Sequence, residues 1–251
     1  MASFADHFSG HAGEYAAHRP TYPPGFIASL ASLCPGRALA WDAGTGSGQA
    51  AVLLAVHFER VLATDASAEQ IGHAQVHPGV EYRLALAHDS GLPSHSADLV
   101  TAAQALHWFD LPRFYAEVRR VLRPGGIVAA WCYGKVTIAP DLDPVVERFY
   151  AGRVARYWPP ERRHVEAGYR DLEFPFEELP AADWSLESEL TRDEFLGYVA
   201  TWSSVAGARK AEGVDPMVEF ERDLVDAWPD GRRRLVSWPI ALRVGRVAAP
   251  E

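Results

Sequence analysis

The 251-residue chain is poor in cysteine, has no long apolar run and carries no excess of positive charge. Only Cys34 and Cys132 are present, both in apolar segments, which favours reduced, buried thiols over a disulfide framework. No segment reaches the unbroken apolar length of a membrane span. The opening MASFADHFSG lacks both the charged start and the apolar block of a signal peptide. These absences predict a cytoplasmic protein without a membrane partner. The formal charge of −9 disfavours nonspecific attraction to nucleic acid or to an anionic membrane surface. No internal repeat or low-complexity tract is present. With 48% hydrophobic residues, the chain is long enough to bury a full core, and one α/β domain with extra elements accounts for its length.

What is present is organised around Ala40–Gln49, AWDAGTGSGQ. The apolar run 38–41 ends in Asp42 and then in Gly44, Gly46 and Gly48, followed by the helix formers 49–55. Strand, glycine turn and helix form a nucleotide-cradling arrangement, because glycines admit a ligand close to the backbone and a helix start offers unpaired N–H groups. A second apolar run, 60–64, ends in Asp65, about 20 residues beyond the first glycine, where such folds hold a ribose hydroxyl pair. Asp42 would repel a pyrophosphate but attract an amino-acid ammonium group. The dinucleotide pattern also wants glycine at position 49, which is Gln49. A nucleoside bearing a cation fits these residues better than a dinucleotide, and S-adenosylmethionine is such a molecule. Two rivals stay open: an NAD(P)-dependent oxidoreductase on the same architecture, and a noncatalytic S-adenosylmethionine-binding protein.

D-x-G-x-G-x-G, the acidic end of the second strand, and Leu122-Arg123-Pro124-Gly125-Gly126 after a helix together resemble the Rossmann-like (class I) S-adenosylmethionine-dependent methyltransferases. Two further stretches, 104–110 (QALHWFD) and 15–23 (YAAHRPTYP), resemble the methyltransferase type 11 branch that includes trans-aconitate methyltransferase-like proteins. The resemblance implies a mostly parallel central sheet with helices on both faces, an antiparallel last strand and a helical cap insertion. It implies cofactor contacts from Asp42, Gly44, Thr45, Gly46, Gly48, Asp65, Ala66, Ala87, His88 and Gln104, with S-adenosyl-L-homocysteine as product. His88 stands where family members carry an acidic residue, with Asp89 beside it. Tyr15, Arg19, Tyr22, His107 and Trp108 are implied as the acceptor's surroundings, and no metal is implied.

The chain divides into residues 1–36, read as N-terminal helices or a lid, a cofactor-binding core at 37–133, and a substrate cap with terminal strands at 134–251. His7 and His11 lack a third ligand and read as exposed histidines. Ser67 is expected to cap a helix, with Gln70 completing the box. Strands are expected at 80–86, 98–102 and 127–133, and a helix at 111–122 with Phe114, Val118, Val121 and Leu122 on one face. Trp131 and Tyr133 read as core. In the last part, 141–157, 191–202 and 215–228 have helical spacing, 173–190 reads as irregular strand, and 238–247 as a final strand. Arg153, Arg156, Arg162 and Arg163 read as a solvated face paired with Glu161 and Glu166. A small-molecule methyl acceptor is expected. A carboxylate oxygen needs no base, whereas an alcohol or phenol would call on His107, an imidazole that ordinarily titrates near neutrality.

Overall fold

Along β1 (Leu39–Ala43) successive side chains leave opposite faces of the strand. Ala40 enters one buried cluster, while Leu39, Trp41 and Ala43 enter another. The same division continues through β2 (Arg60–Asp65), β4 (Ala97–Ala103) and β5 (Leu122–Tyr133), so both faces of the sheet are covered. Residues 20–248 of the computed structural model are described; the expectations for Tyr15, Arg19 and the His7/His11 pair fall outside them.

Among the described residues the sheet has eight strands in the order β3-β2-β1-β4-β5-β8-β6, with β7 also on β8. Here β3 is Val80–Leu84, β6 Glu177–Leu179, β7 Trp184–Leu190 and β8 Arg234–Arg246. The first five strands are parallel, and β8 runs antiparallel to β5 with β6 and β7 antiparallel on its other side. Helices α1 (Phe26–Ser32) and α2 (Gln49–Leu54) cover one face through Phe26, Leu30, Ala51 and Leu54. After the short α3 (Ala68–Gly72), whose Ser67 cap accepts from Gln70 N as expected, α4 (Leu111–Val121) covers the other face. Ser67 N donates to Asp65, however, and no box with the Gln70 side chain forms. The expected stripe Phe114, Val118, Val121 and Leu122 is buried there, as are Trp131 and Tyr133 in the core. Cys132 is buried and Cys34 half-buried; both are free, and burial pushes each thiol up to about 12.

Some boundaries differ from the sequence reading. β3 stops at Leu84, and β5 starts at Leu122 because Leu122 pairs with Ala97 before a register shift skips the Pro-Gly-Gly turn. β8 starts four residues early, at Arg234, because β7 gives it a partner the alternation did not reveal. Pro239 lies inside β8 and still faces an open edge on one side, since pairing to β5 begins at Ile240.

The remaining elements are short: α5 (Asp143–Arg148) running into a π turn at Phe149–Arg153, a 3-10 turn at Ala155–Tyr157, and α6 (Arg162–Glu166). They are followed by α7 (Arg192–Ala200), α8 (Ser203–Glu212) and α9 (Met217–Ala227). Thr191 and Glu194 close a capping box on α7. Aromatic rings hold this cap together: Phe149 stacks on Phe220 at 4.3 Å, and Tyr150, Trp158 and Trp202 form a mutual cluster. Arg153 and Arg156 are paired, but with Glu212 at the end of α8, and Glu161 and Glu166 are not their partners. That helix was not expected from the sequence.

Buried Asp98 stitches the entrance of β4 to β1. It accepts from Ala38 N at 2.8 Å, Leu39 N at 3.1 Å and Arg123 Nη1 at 3.1 Å. Removing the carboxylate leaves two backbone donors and a guanidinium unpaired. Asp98→Ala is therefore expected to lower unfolding free energy by about 2–4 kcal/mol in urea titrations. A midpoint equal to wild type would contradict this role.

Candidate functional site

β1 delivers Asp42 to the start of the glycine turn, fully buried, with both oxygens engaged. Oδ1 accepts from Thr101 Oγ1 and Oδ2 from Thr45 Oγ1, each at 2.6 Å. No cationic side chain among the described residues pairs with it. Burial raises its pKa from 3.8 to about 6; the two threonine hydroxyls oppose the shift and the nearby charge of Asp65 adds to it. Asp42 was expected to grip an ammonium group directly. Its sealed position makes it instead a negative charge beneath the loop, with Thr45 as the link between them.

The three glycines have φ of 67°, 56° and 84° at 44, 46 and 48, all in the left-handed region. Their surroundings differ. A Cβ at Gly44 would lie 2.7 Å from Ala105 Cβ and 3.0 Å from the Phe109 ring, and one at Gly48 would collide with the Tyr82 hydroxyl. At Gly46, chain neighbours aside, the only atom within 4 Å among the described residues would be Gln70 Oε1, at 3.7 Å. Gly44 and Gly48 thus serve the protein's own packing, while Gly46 presents open backbone.

Asp65, at the end of β2, holds the loop in this shape: Oδ2 accepts from Gly46 N at 2.8 Å and Oδ1 from Ser67 N at 2.9 Å. Ala66 lies between these contacts in sequence. Ala85 N reaches Asp65 O at 3.0 Å, carrying the chain beyond β3 to Ala87 and His88. Both are half-buried, and the turn that follows is pinned by Ser90, whose N and Oγ donate to Glu117. Gln104 follows β4 with a positive φ of 54°, unusual for a residue with a side chain. Its N donates to Trp131 O and its Nε2 to Tyr133 O, each at 2.8 Å, fixing the ends of β4 and β5 together.

His107 and Trp108 lie in the 3-10 turn Leu106–Trp108. Their rings are 4.7 Å apart, and His107 Nδ1 is 2.8 Å from the hydroxyl of buried Tyr169. Burial first, then the charges of Arg162 and His164, lower the imidazole to about 3. The expectation that it titrates near neutrality is corrected: His107 is neutral across the physiological range. Tyr22 stacks on Phe26 at 5.5 Å and meets Trp131 edge-on at 5.7 Å.

Asp42, Gly44–Gly48, Asp65 and Gln104 thus gather at the carboxyl ends of β1, β2 and β4, and Gly44 packs against the segment that carries His107. Three participants escaped sequence reasoning. Gln49 donates through Nε2 to Pro20 O at 2.9 Å and so draws the N-terminal segment to the loop; its departure from glycine was the one available signal. Tyr82 roofs Gly48, and Tyr169 holds His107 from 62 residues away; neither sits in a motif. Among the described residues no group of three or more His, Cys, Asp or Glu could hold a metal ion, and no helix is long and apolar enough to cross a membrane.

Residues 41–130 match a family profile described as a methyltransferase domain. A protein of Dictyostelium discoideum carrying a provisional methyltransferase name is 38% identical over 239 residues, 93% of this chain and 91% of that protein. A solved structure from Anaeromyxobacter dehalogenans, provisionally described as a type II methyltransferase, superposes with TM-score 0.87 at 49% identity, covering 92% of this chain and 99% of that one. An uncharacterized methyltransferase of Mycobacterium tuberculosis is 37% identical over 120 residues, 47% of this chain and 49% of its own length. The chain thus spans nearly all of the first relative and about half of several others.

The charge of Asp42 sets a pH dependence. Its carboxyl holds a proton more tightly in the folded than in the unfolded chain, so stability falls as pH rises between about 4 and about 6. Above that window the cost is on the order of 3 kcal/mol. Asp42→Asn keeps hydrogen-bonding capacity without the charge. At pH 7.5 the ligand-free variant is expected to unfold in urea at the same midpoint as wild type or higher, and to lack the decline between pH 4 and 6. A clearly lower midpoint would contradict the account.

Proposed function

Because the chain belongs to the class I S-adenosylmethionine-dependent methyltransferases, we propose that it transfers the methyl group to a carboxylate oxygen of a small organic acid. Family membership makes it an enzyme and sets aside both the oxidoreductase and the noncatalytic binder.

The open backbone at Gly46, between the charge of Asp42 and the acceptor oxygens of Asp65, is the observation that carries the cofactor assignment. Asp65 holds Gly46 N and Ser67 N, and in this reading its carboxylate also faces the ribose hydroxyls. Asp42 contributes a field that favours the ammonium end of the cofactor, in a medium where Coulombic attraction is strong. Ala87, His88 and Gln104 flank the adenosine and methionine ends respectively in this reading. The bound cofactor supplies a methyl already activated by its sulfonium. The protein's share is to align the acceptor oxygen and keep the pocket dry.

The carboxylate is favoured because the one basic side chain read as catalytic, His107, is a weak base held at about 3 by burial and by neighbouring cations. An ionised carboxylate needs no deprotonation at neutral pH. The resemblance of residues 104–110 and 15–23 to trans-aconitate methyltransferase-like proteins points the same way. His107, Trp108 and Tyr22 are then walls of the acceptor pocket; Tyr15 and Arg19, expected to join them, lie outside the described residues. The cap over residues 134–251 shapes the remaining wall, and the reading includes a cytoplasmic location and no nucleic-acid or membrane partner.

A labelled-methyl screen over small organic acids and phenols identifies the acceptor. With it, the single-turnover rate is expected to stay nearly flat from about pH 6 to 8, since carboxyl groups titrate near 4. His107→Ala is expected to leave that profile flat. A steep rise near neutrality that His107→Ala abolishes would overturn the carboxylate reading.

A further inference from the structure

Arg162 was grouped with the solvated arginines, yet its environment differs from theirs. Arg153 and Arg156 pair with Glu212, while no carboxylate among the described residues lies within ion-pair distance of Arg162. Its guanidinium is nonetheless fixed. The plane stacks on Trp158, 4.5 Å from the ring centroid, and lies 5.5 Å from that of Tyr150. Nε donates to the Tyr150 hydroxyl at 2.9 Å. Tyr150 and Trp158 are themselves locked, packing on each other at 4.9 Å and on Trp202 at 5.5 and 5.7 Å.

With Nε and the ring-facing plane occupied, the edge formed by Nη1 and Nη2 has no hydrogen-bond partner among the described residues. That edge lies at the carboxyl end of β5: a Cβ on Gly134 would be 3.6 Å from Nη2. A cleft of about 380 Å³, lined by Gly134, Val136, Pro144, Tyr150 and Trp202 but not by Arg162 itself, adjoins this corner through Gly134 and Tyr150. Its volume suits a small metabolite. The charged groups around it are otherwise neutralised or engaged. Lys135 pairs with Glu147 at 3.0 Å, Asp143 accepts from Ile138 N and Ala139 N, and His164 is bound to Asp171. Glu166 accepts from the Tyr150 hydroxyl at 2.8 Å, the same hydroxyl that takes the bond from Arg162 Nε.

We propose that Arg162, clamped by Trp158 and Tyr150 beside the end of β5, binds an anionic group of the methyl acceptor remote from the oxygen that is methylated. A guanidinium edge takes a carboxylate through two parallel N–H···O bonds, and one already immobilised by stacking loses little freedom in doing so. The gripped anion must differ from the reacting one, because a carboxylate neutralised by two charge-assisted hydrogen bonds is a poorer nucleophile. The acceptor class is therefore an acid with at least two anionic groups. The field of Arg162 reaches His107, where it helps keep the imidazole unprotonated. This inference rests on the methyltransferase reading of the site.

The test uses the full chain saturated with S-adenosylhomocysteine. Succinate, citrate and trans-aconitate are titrated calorimetrically into wild type, Arg162→Met and Arg162→Lys, with thermal unfolding of each variant as the control for folding. Wild type is expected to bind at least one of the three acids. Arg162→Met should weaken that acid at least tenfold, Arg162→Lys should fall between, and S-adenosylhomocysteine affinity should stay within about twofold throughout. The proposal is overturned if wild type binds none of the acids, or if Arg162→Met binds them as wild type does. It is equally overturned if Arg162→Met loses S-adenosylhomocysteine to the same degree, since the guanidinium would then serve the cofactor's own carboxylate or the fold. Failure of wild type to bind S-adenosylhomocysteine at all would instead remove the functional reading beneath it.

Discussion

Asp42 lies under the glycine loop as a carboxylate with two hydroxyl partners and, among the described residues, no cation, in a position closed to solvent. A buried charge in that state opposes folding unless something compensates it. The protein supplies partial compensation through Thr45 and Thr101, and the raised pKa measures what is left over. A ligand that brings positive charge to the loop completes the compensation. One that brings a pyrophosphate makes it worse. The selectivity of the loop thus begins with an electrostatic deficit built into the end of β1, and the other site features are arranged around it. Gly46 leaves the backbone bare, Asp65 holds the loop amide in place, and Gln49 ties the incoming chain at Pro20 to the same turn.

Topology determines what meets this loop. Parallel strands bring the carboxyl ends of β1, β2, β4 and β5 to one edge, and the strained Gln104 binds the last two together through Trp131 and Tyr133. Strain at that residue is tolerated because its backbone N–H and its side-chain amide both donate to carbonyls at the end of β5 and over-determine it. The cap then packs on the β5 side, where its aromatic cluster walls a cleft. In the proposed reading, cofactor and acceptor groups thereby come from different parts of the chain: the loop and Asp65 are local in sequence, whereas the acceptor wall draws on residues from Tyr22 to Trp202.

That separation explains what could be read in advance. The fold of the glycine-loop half was legible because its signals are concentrated in short segments: an apolar strand, an acidic end, alternating glycines and a helix start. Asp65, Ser67 and the stripe on α4 fell where the pattern placed them. The cap was less legible because its helices are short, one runs into a π turn, and its contacts span long sequence distances. Glu212 as the partner of Arg153 and Arg156 lies some 55 residues or more away, in a helix whose small and charged residues show weak periodicity. Tyr169 on His107 is of the same kind. The nearby glutamates Glu161 and Glu166 were the natural guess, and proximity in sequence misled because an aromatic cluster, not a charge pair, organises that corner. His107 shows a further limit: its residue type suggested a base, and only burial reveals that it stays neutral.

The central claim is that the cofactor lies against the bare backbone at Gly46, between the charge of Asp42 and the oxygens of Asp65. Gly46→Ala probes it most directly, because in the free protein an added methyl would meet little but Gln70 Oε1 at 3.7 Å. The measurement is calorimetric titration of S-adenosylhomocysteine into wild type and Gly46→Ala, alongside urea unfolding of both ligand-free proteins. The left-handed backbone should make the variant less stable by only about 1–2 kcal/mol, leaving it folded. The account predicts tight binding by wild type and at least a tenfold loss in the folded variant. Equal affinity in both proteins would contradict it.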